Sequence, residues 1–129
     1  MLEGPAELLW RQVLPDWIDD GIPSSQNFKP TRKDEGRLST RRSAMMSAQE
    51  AYDDHTKQWR SAGTWGVSVA EAKGAGLRAI DDSAMPDSPF AHSYVDFRNL
   101  SRGKTDKAAI ALKDFAVARG RAYPAAGDS

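Results

Sequence analysis

The sequence predicts an α+β fold, with two main helices packed on a small, mostly antiparallel sheet. Short apolar segments typical of strands recur along the 129 residues. Two longer segments place apolar residues at helical spacing. The strand segments are not separated by regular crossover helices, which parallel strands need. A chain of this length forms one domain, so we expect one unit over residues 1–129 with flexible ends at residues 1–6 and 123–129.

The first part of the chain is predicted to contain two strands and a long loop. Residues 7–14 are largely apolar and predict the first strand, although a helix stays open because Leu and Glu both favour one. Pro15 ends either element. Residues 16–30 contain Pro, Gly and a Ser-rich stretch, which predicts a loop. A short strand is predicted over residues 37–41.

The clearest helix signal begins at Ser47. Ser47 and Glu50 have the S-x-x-E spacing of a capping box, in which each side chain bonds a free backbone N–H of the first turn. We therefore predict a helix over residues 47–60, with its exit marked by Gly63. Its apolar face would consist of Ala48, Ala51, Tyr52, His55 and Trp59.

Several short elements are predicted in the second part of the chain. Residues 64–69 alternate apolar and small or polar side chains, as a half-buried strand does. One helical turn is predicted over residues 70–73 and a short strand over residues 77–80. Residues 81–89 contain two prolines and predict a loop. The last strand is predicted over residues 91–97.

A last helix is predicted over residues 106–119. Thr105 is its expected N-cap, and Gly120 lies where a glycine commonly ends a helix. The buried stripe would consist of Ala108, Ala111, Leu112, Phe115 and Ala116.

Composition excludes several classes of function. Lys plus Arg equals Asp plus Glu at 18 each, so no global field attracts nucleic acid or a membrane. Cysteine is absent, which excludes disulfides, thiolate zinc sites and a cysteine nucleophile. No apolar run approaches the roughly 20 residues that span a bilayer, and the N-terminus lacks the early positive charge of a signal peptide. We therefore expect a cytoplasmic protein without a membrane partner.

The densest positive segment lies between residues 29 and 42. Guanidinium groups match phosphate oxygens, so this segment predicts a grip on a nucleotide or a nucleic acid. The alternative is a solvated loop whose charges are balanced by acidic neighbours. The candidate ligand-binding residues are Lys29, Arg32, Arg37, Arg41 and Arg42.

Arg11 lies inside the predicted first strand, on the same face as Leu9 and Val13. A buried guanidinium needs either a carboxylate from the protein or a bound anion. The first predicts an ion pair that supports the fold, and the second predicts a ligand site. The candidate structural partners are Asp96, Asp16, Asp19 and Asp20.

The predicted last strand carries a polar face. His92, Tyr94 and Asp96 are two residues apart, so their side chains share one side of the sheet. A histidine with an aspartate can do acid–base chemistry, because the carboxylate holds the imidazole in one tautomer. The alternative is an ordinary solvent-facing sheet surface. His55 and His92 lack a spaced set of carboxylates, so no metal site is predicted.

One stretch resembles a group of small, uncharacterised bacterial proteins. It follows Leu9-Trp10-Arg11, an L-x-R strand pattern that the group shares. The resemblance covers most of the chain and implies no particular activity. The residues that carry it are Pro23, Ser24, Ser25, Gln26, Phe28, Pro30, Asp34, Leu38 and Ser39.

A second resemblance concerns the ADP-ribosyltransferases. These enzymes place an Arg or His on an early strand, a Ser-Thr pair before a helix and a Glu near a later strand. Arg11 and the pair Ser39-Thr40 match the first two positions. Asp96 stands near the third position, where this chain has no Glu. The resemblance implies an enzyme or toxin that binds NAD or another nucleotide, inactive if Asp96 does not replace the Glu.

Two functions follow as hypotheses. The first is a binding or accessory protein that contacts a protein or nucleic-acid partner through its basic segment and aromatic surface. The alternative is an enzyme resembling ADP-ribosyltransferases, with NAD as its cofactor or substrate. A bacterial toxin or its neutralising partner is a third hypothesis. The candidate catalytic residues are Arg11, Ser39, His92 and Asp96.

Overall fold

A computed structural model describes residues 1–125 and shows a five-stranded antiparallel sheet with helices packed on it. The predicted α+β class with a mostly antiparallel sheet is confirmed. In chain order the strands are β1 (Leu8–Gln12), β2 (Ile18–Asp19), β3 (Ile22–Pro23), β4 (Arg37–Arg42), β5 (Thr64–Ser68), β6 (Arg78–Asp81) and β7 (His92–Asp96). The helices of the described residues are α1 (Ala48–His55), α2 (Val69–Gly74) and α3 (Arg102–Arg119). None of these helices is both long and apolar enough to cross a membrane.

The five strands of the main sheet lie in the order β5-β1-β4-β7-β6, and β2 pairs with β3 in a separate hairpin. In the central pair, Ser39 of β4 lies opposite Tyr94 of β7, and Leu38 lies opposite Val95. Successive side chains of a strand point to opposite faces. Leu38 and Val95 therefore share one face of the sheet, and Ser39 and Tyr94 share the other.

The main core lies between the sheet and α3. A strand contributes every second residue to this core, and α3 contributes one apolar stripe. The 3-10 turn Ser25–Phe28 inserts the fully buried Phe28 beside them. The core-forming residues of the sheet and α3 include Leu9, Leu38, Val67, Ala79, Val95, Ala108, Leu112 and Ala116.

Helix α1 covers part of the opposite face of the sheet. Trp10 packs there against a small cluster formed by Met46, Ala51 and Ala91. The Trp10 indole crosses Gly66, where an added Cβ would lie 2.8 Å from the ring, so the close approach requires glycine. Beyond α1 the sheet presents what we call the open face, defined by Arg37, Ser39, His92 and Tyr94. Arg37 and Ser39 are exposed, and His92 and Tyr94 are half-buried.

The capping box predicted for α1 is confirmed, but the predicted length is wrong. The Glu50 N–H donates to Ser47 Oγ at 3.0 Å, and the Ser47 N–H donates to Glu50 Oε1 at 2.9 Å. The helix ends at His55, where the Thr56 hydroxyl donates to the Tyr52 carbonyl. Trp59, predicted on the apolar face, is consequently 61% exposed.

The predicted start of the last helix is also wrong. Ser101, not Thr105, is the N-cap, and its Oγ accepts the Lys104 N–H at 3.2 Å. Residues 102–105 have no helix breaker other than one glycine, so the helix extends back to the first residue that caps it in an extended conformation. Gly120 ends the helix with φ of 91°, as predicted. Phe115 is exposed instead of buried.

Strand β5 is buried on both faces, so the half-buried strand predicted there is wrong. Thr64 is inaccessible to solvent because α1 and the C-terminal segment cover it. Its hydroxyl donates to the Ala48 carbonyl and accepts a hydrogen bond from Gln12. Burial of this polar side chain is therefore compensated by hydrogen bonds within the protein.

The predicted loop at residues 16–30 contains more regular structure than expected. It includes the β2–β3 hairpin and the Ser25–Phe28 turn. The ends predicted to be flexible make contacts where they are described: the Leu2 N–H donates to Ala79 at 2.8 Å, and the Tyr123 ring packs on Tyr52 at 5.2 Å. Residues 126–129 of the predicted C-terminal end lie outside the described residues.

Candidate functional site

Three side chains on and beside the open face form a continuous hydrogen-bonded series. Ser39 Oγ lies 3.1 Å from His92 Nε2, and His92 Nδ1 lies 2.6 Å from Asp82 Oδ1. The sheet register explains the first contact. Arg41 lies opposite His92 and Ser39 lies opposite Tyr94, so Ser39 and His92 are diagonal neighbours on one face.

The register also explains how Asp82 reaches the histidine. Asp81 lies opposite Ser93 in the β6–β7 pair, and Asp82 is the next residue toward His92. The acid beside the predicted histidine is therefore Asp82, and pairing of His92 with Asp96 was wrong. A sequence signal was present, because an antiparallel hairpin between β6 and β7 brings residues 82 and 92 together once its register is known.

The chemistry of this series follows from the tautomer that Asp82 selects. When the imidazole is neutral and donates Nδ1–H to the Asp82 carboxylate, Nε2 keeps its lone pair and can accept the Ser39 hydroxyl. A serine nucleophile is activated by a base that accepts its hydroxyl proton, and a third group holds that base in the correct orientation. The Ser39 hydroxyl is on the exposed side of the series, and His92 and Asp82 are half-buried behind it.

Asp96 has a different environment, although it shares a strand with His92. Its side chain is only 3% exposed, and its two oxygens accept hydrogen bonds from the Arg98 guanidinium, the Arg98 N–H and Arg78. The Arg98 hydrogen bond, helped by Arg78, lowers the pKa of Asp96 to about 2. Asp96 therefore acts as a structural clamp between the ends of β6 and β7.

Arg11 is held by backbone carbonyls. Its Nε donates to the Asn27 carbonyl at 2.6 Å, and its Nη1 donates to the Ser39 carbonyl at 3.0 Å. Over the described part of the chain, no carboxylate lies within 4.0 Å of this guanidinium, so the predicted internal ion pair is wrong. Desolvation by the surrounding protein lowers the pKa of Arg11 to about 10. Asp16, one predicted partner, instead contacts the exposed Arg60.

The carbonyl that receives Arg11 is positioned by the long loop. The Asn27 side chain is fully enclosed, donating to the Trp17 and Ser24 carbonyls and accepting the Leu14 N–H. This buried amide folds the loop against β1. Arg11 thus joins β1, the loop and β4, and its side chain lies against the backbone of Ser39. Of the candidate catalytic residues, Ser39 and His92 contact each other through their side chains on the open face, whereas Arg11 contacts the Ser39 carbonyl from the core side of the sheet and Asp96 is held apart by its arginines.

The five candidate ligand-binding residues do not form one patch. Arg41 and Arg42 are adjacent in β4 and therefore point to opposite faces. Three of the five side chains are held in close ion pairs, shorter than 3 Å, within the protein. These are Lys29 with Asp106 at 2.6 Å, Arg41 with Asp54 at 2.8 Å, and Arg42 with Glu7 and Asp81, both at 2.8 Å.

Arg37 differs from these three because it stays accessible on the open face. Its nearest carboxylate is that of the exposed Glu35, at 4.0 Å. Its guanidinium carbon lies 5.6 Å from the centre of the Tyr94 ring, and that of Arg98 lies 5.9 Å from the same centre. Two cations therefore flank an aromatic ring within cation–π distance. Arg32, the fifth candidate, lies in the turn Arg32–Asp34 and lines a shallow depression beside Arg98.

The remaining histidine, His55, packs elsewhere on the protein. The His55 ring packs on the Trp59 ring, with 5.6 Å between centroids, and burial lowers the pKa of His55. Among residues 1–125, no group of three or more His, Cys, Asp or Glu side chains is arranged to hold a metal ion.

No family model matches the chain, and no curated protein or solved structure is significantly similar to it.

Proposed function

We propose that the protein binds single-stranded nucleic acid on the open face of its sheet. The observation that carries this proposal is the Tyr94 ring with the guanidinium groups of Arg37 and Arg98 at 5.6 and 5.9 Å. Unpaired bases stack on aromatic and guanidinium planes, and arginine binds the adjoining phosphates. The face presents both kinds of group on neighbouring strands.

The local charge supports a polyanionic ligand, although the whole chain has a formal net charge of zero. Arg78 and Arg98 share a single carboxylate, that of Asp96. Arg37 has only a distant contact with Glu35, at 4.0 Å. Arg37 is consequently the least neutralised of these arginines, and its guanidinium is available to phosphates on the open face.

The test is fluorescence anisotropy with labelled single-stranded RNA and DNA oligonucleotides of ~10 nucleotides, near the usual site size of a small binding domain. We expect Arg37→Glu and Tyr94→Ala to weaken binding about tenfold each, since stacking or a phosphate contact contributes on the order of 1–3 kcal/mol. Affinity should fall steeply with added salt. Arg60→Glu is the matched control, because the Arg60 side chain is exposed away from the open face and pairs with the exposed Asp16.

Two outcomes would contradict the proposal. In the first, the wild-type protein binds no oligonucleotide at low salt. In the second, the Arg60→Glu variant loses as much affinity as Arg37→Glu. A protein partner for the open face is the alternative occupant. Recovery of a protein, without nucleic acid, by the wild type but not by Arg37→Glu would replace nucleic acid with that partner.

We also propose a cytoplasmic location, which suits a chain without cysteine.

The contact between Arg11 and Ser39 supports a second candidate, an NAD- or nucleotide-binding enzyme similar to ADP-ribosyltransferases. Two positions of that resemblance are joined by a hydrogen bond from Arg11 Nη1 to the Ser39 carbonyl at 3.0 Å, although their side chains lie on opposite faces of the sheet. The third, Asp96, is engaged by Arg78 and Arg98. A thermal-shift titration tests this candidate: NAD should raise the melting temperature. No shift at millimolar NAD would remove it.

A further inference from the structure

We propose that Ser39, His92 and Asp82 form a nucleophilic centre that cleaves phosphodiesters. Ser39 would attack, His92 would carry the proton, and Asp82 would position the imidazole. The basis is the pair of contacts at 3.1 Å and 2.6 Å, which places the three groups in the order that activation of a serine requires. The choice of a phosphodiester rests on the proposed nucleic-acid binding, but the nucleophile itself does not.

A neighbouring hydroxyl pair shows what a purely structural contact looks like in the same strands. Thr40 Oγ1 and Ser93 Oγ lie 2.7 Å apart on the opposite face, where both side chains are buried. That pair satisfies itself and has no access to solvent. Ser39, in contrast, is exposed, and its partner His92 is backed by a carboxylate from a separate loop. A reacting group can therefore reach the Ser39 hydroxyl.

The charges beside Ser39 favour an anionic ester. Arg37 and Arg41 lie two residues to either side of Ser39 in β4, so their side chains leave the same face. Arg41 is occupied by the Phe90 carbonyl and by Asp54. Arg37 is not, and its guanidinium is available to the oxygens of a phosphate. Cations fixed beside a phosphoryl group stabilise the charge that develops in its transition state.

The proposed reaction needs no oxidant or cofactor. His92 Nε2 takes the Ser39 proton as Oγ bonds to phosphorus, the P–O bond to the leaving nucleotide breaks, and His92 gives its proton to the departing oxygen. Water then attacks the phosphoserine diester, with His92 accepting a proton from the water. The Oγ–P bond breaks, the proton returns to Oγ, and a phosphate monoester is released.

The experiment treats the full chain with a fluorescent fluorophosphonate, a phosphorus electrophile, and locates the label by peptide mass spectrometry. We expect labelling at Ser39, none in Ser39→Ala, and a rate at least about tenfold lower in His92→Ala. Asp82→Asn should slow labelling, and Asp82→Glu should restore part of the rate. Both variants should keep the urea concentration at which the wild type is half unfolded. Ser88→Ala is the matched control, since Ser88 lies in the same β6–β7 loop, and it should label as the wild type does.

Labelling elsewhere than Ser39, or a rate that His92→Ala leaves unchanged in folded protein, would overturn the inference. Circular dichroism of each variant establishes folding, and Ser39→Ala alone identifies the labelled residue if a His92 or Asp82 variant does not fold. Labelled oligonucleotides supply the second readout, because cleavage should require Ser39. Labelling at Ser39 without oligonucleotide binding would remove the nucleic-acid proposal and keep the nucleophile. Oligonucleotide binding without labelling of Ser39 would remove the nucleophile and keep the nucleic-acid proposal.

Discussion

The two faces of β4 and β7 differ although they belong to the same strands. On the α3 side, Leu38 and Val95 are buried and pack in the main core. On the other side, Ser39 is exposed and reaches the half-buried His92. Alternation puts consecutive residues into these two environments. The comparison teaches that neighbouring residues of one strand can be separated into a group that holds the fold together and a group that stays available for binding and chemistry.

The largest expected effect is on the buried face. Leu38→Ala removes a side chain that is 1% exposed, so we expect a loss of about 3 kcal/mol in the free energy of unfolding. Chemical denaturation measures it. Fluorophosphonate labelling of the folded fraction should not change. A loss below about 1 kcal/mol, within the range of exposed sites, would break the distinction between the faces.

The next largest effect concerns Asp96, which lies at the end of the open face but is enclosed. The hydrogen bond from Arg98, helped by Arg78, holds the pKa of Asp96 at about 2, below the usual value of an aspartate. Stability from this group is therefore present above pH 4 and lost as the pH falls toward 2, by about 2 kcal/mol.

Urea denaturation at a series of pH values measures this dependence. Asp96→Asn should lower stability at neutral pH and flatten the curve below pH 4, because the titrating carboxylate is gone. An unchanged acid limb in Asp96→Asn would assign the dependence to other carboxylates.

A smaller effect separates the two arginines that flank Ser39. The Arg41 side chain is 20% exposed and ion-paired with Asp54, and that of Arg37 is 45% exposed. We expect Arg41→Ala to cost about 1 kcal/mol and Arg37→Ala about zero, as for an exposed residue with a distant partner. Paired thermal denaturation curves measure this difference. Equal losses would show that α1 does not divide this face into a structural part and an open part.

The smallest stability effect is expected for Ser39→Ala. An exposed hydroxyl contributes little to folding, so the change in the free energy of unfolding should stay within about 0.5 kcal/mol. Denaturation under the conditions used for Leu38→Ala gives a direct comparison of adjacent residues. A loss of 2 kcal/mol or more would mean that the Ser39–His92 contact supports the fold, and the nucleophile would lose its main argument.

Local signals predicted much of the architecture. The S-x-x-E spacing at Ser47 correctly predicted the start of α1, since a capping box involves only residues three apart. The same local chemistry at Ser68 and Glu71 begins α2. Burial was harder to predict. Thr64 looked like the exposed side of a strand, but α1 and the C-terminal segment cover it.

Candidate-site residues were predicted individually, and their partners were not. Arg11 was expected to need either an internal carboxylate or a bound anion, but two backbone carbonyls receive it because Asn27 folds the loop underneath. His92 was matched with Asp96 because both lie on one strand face. The partner is Asp82, which the β6–β7 pairing brings across from a loop. Residue type and spacing do not specify which distant segment approaches.

By itself the sequence determined the α+β class, the alternation of the strands and the capped start of α1, because these depend on residues within a few positions of each other. Tertiary structure alone decided that Asp82 contacts His92, that Asp96 is bound by two arginines, and that Arg41 is closely ion-paired while Arg37 has only a distant contact with Glu35. Strand register and helix packing set these outcomes, since they bring together groups that are tens of residues apart along the chain.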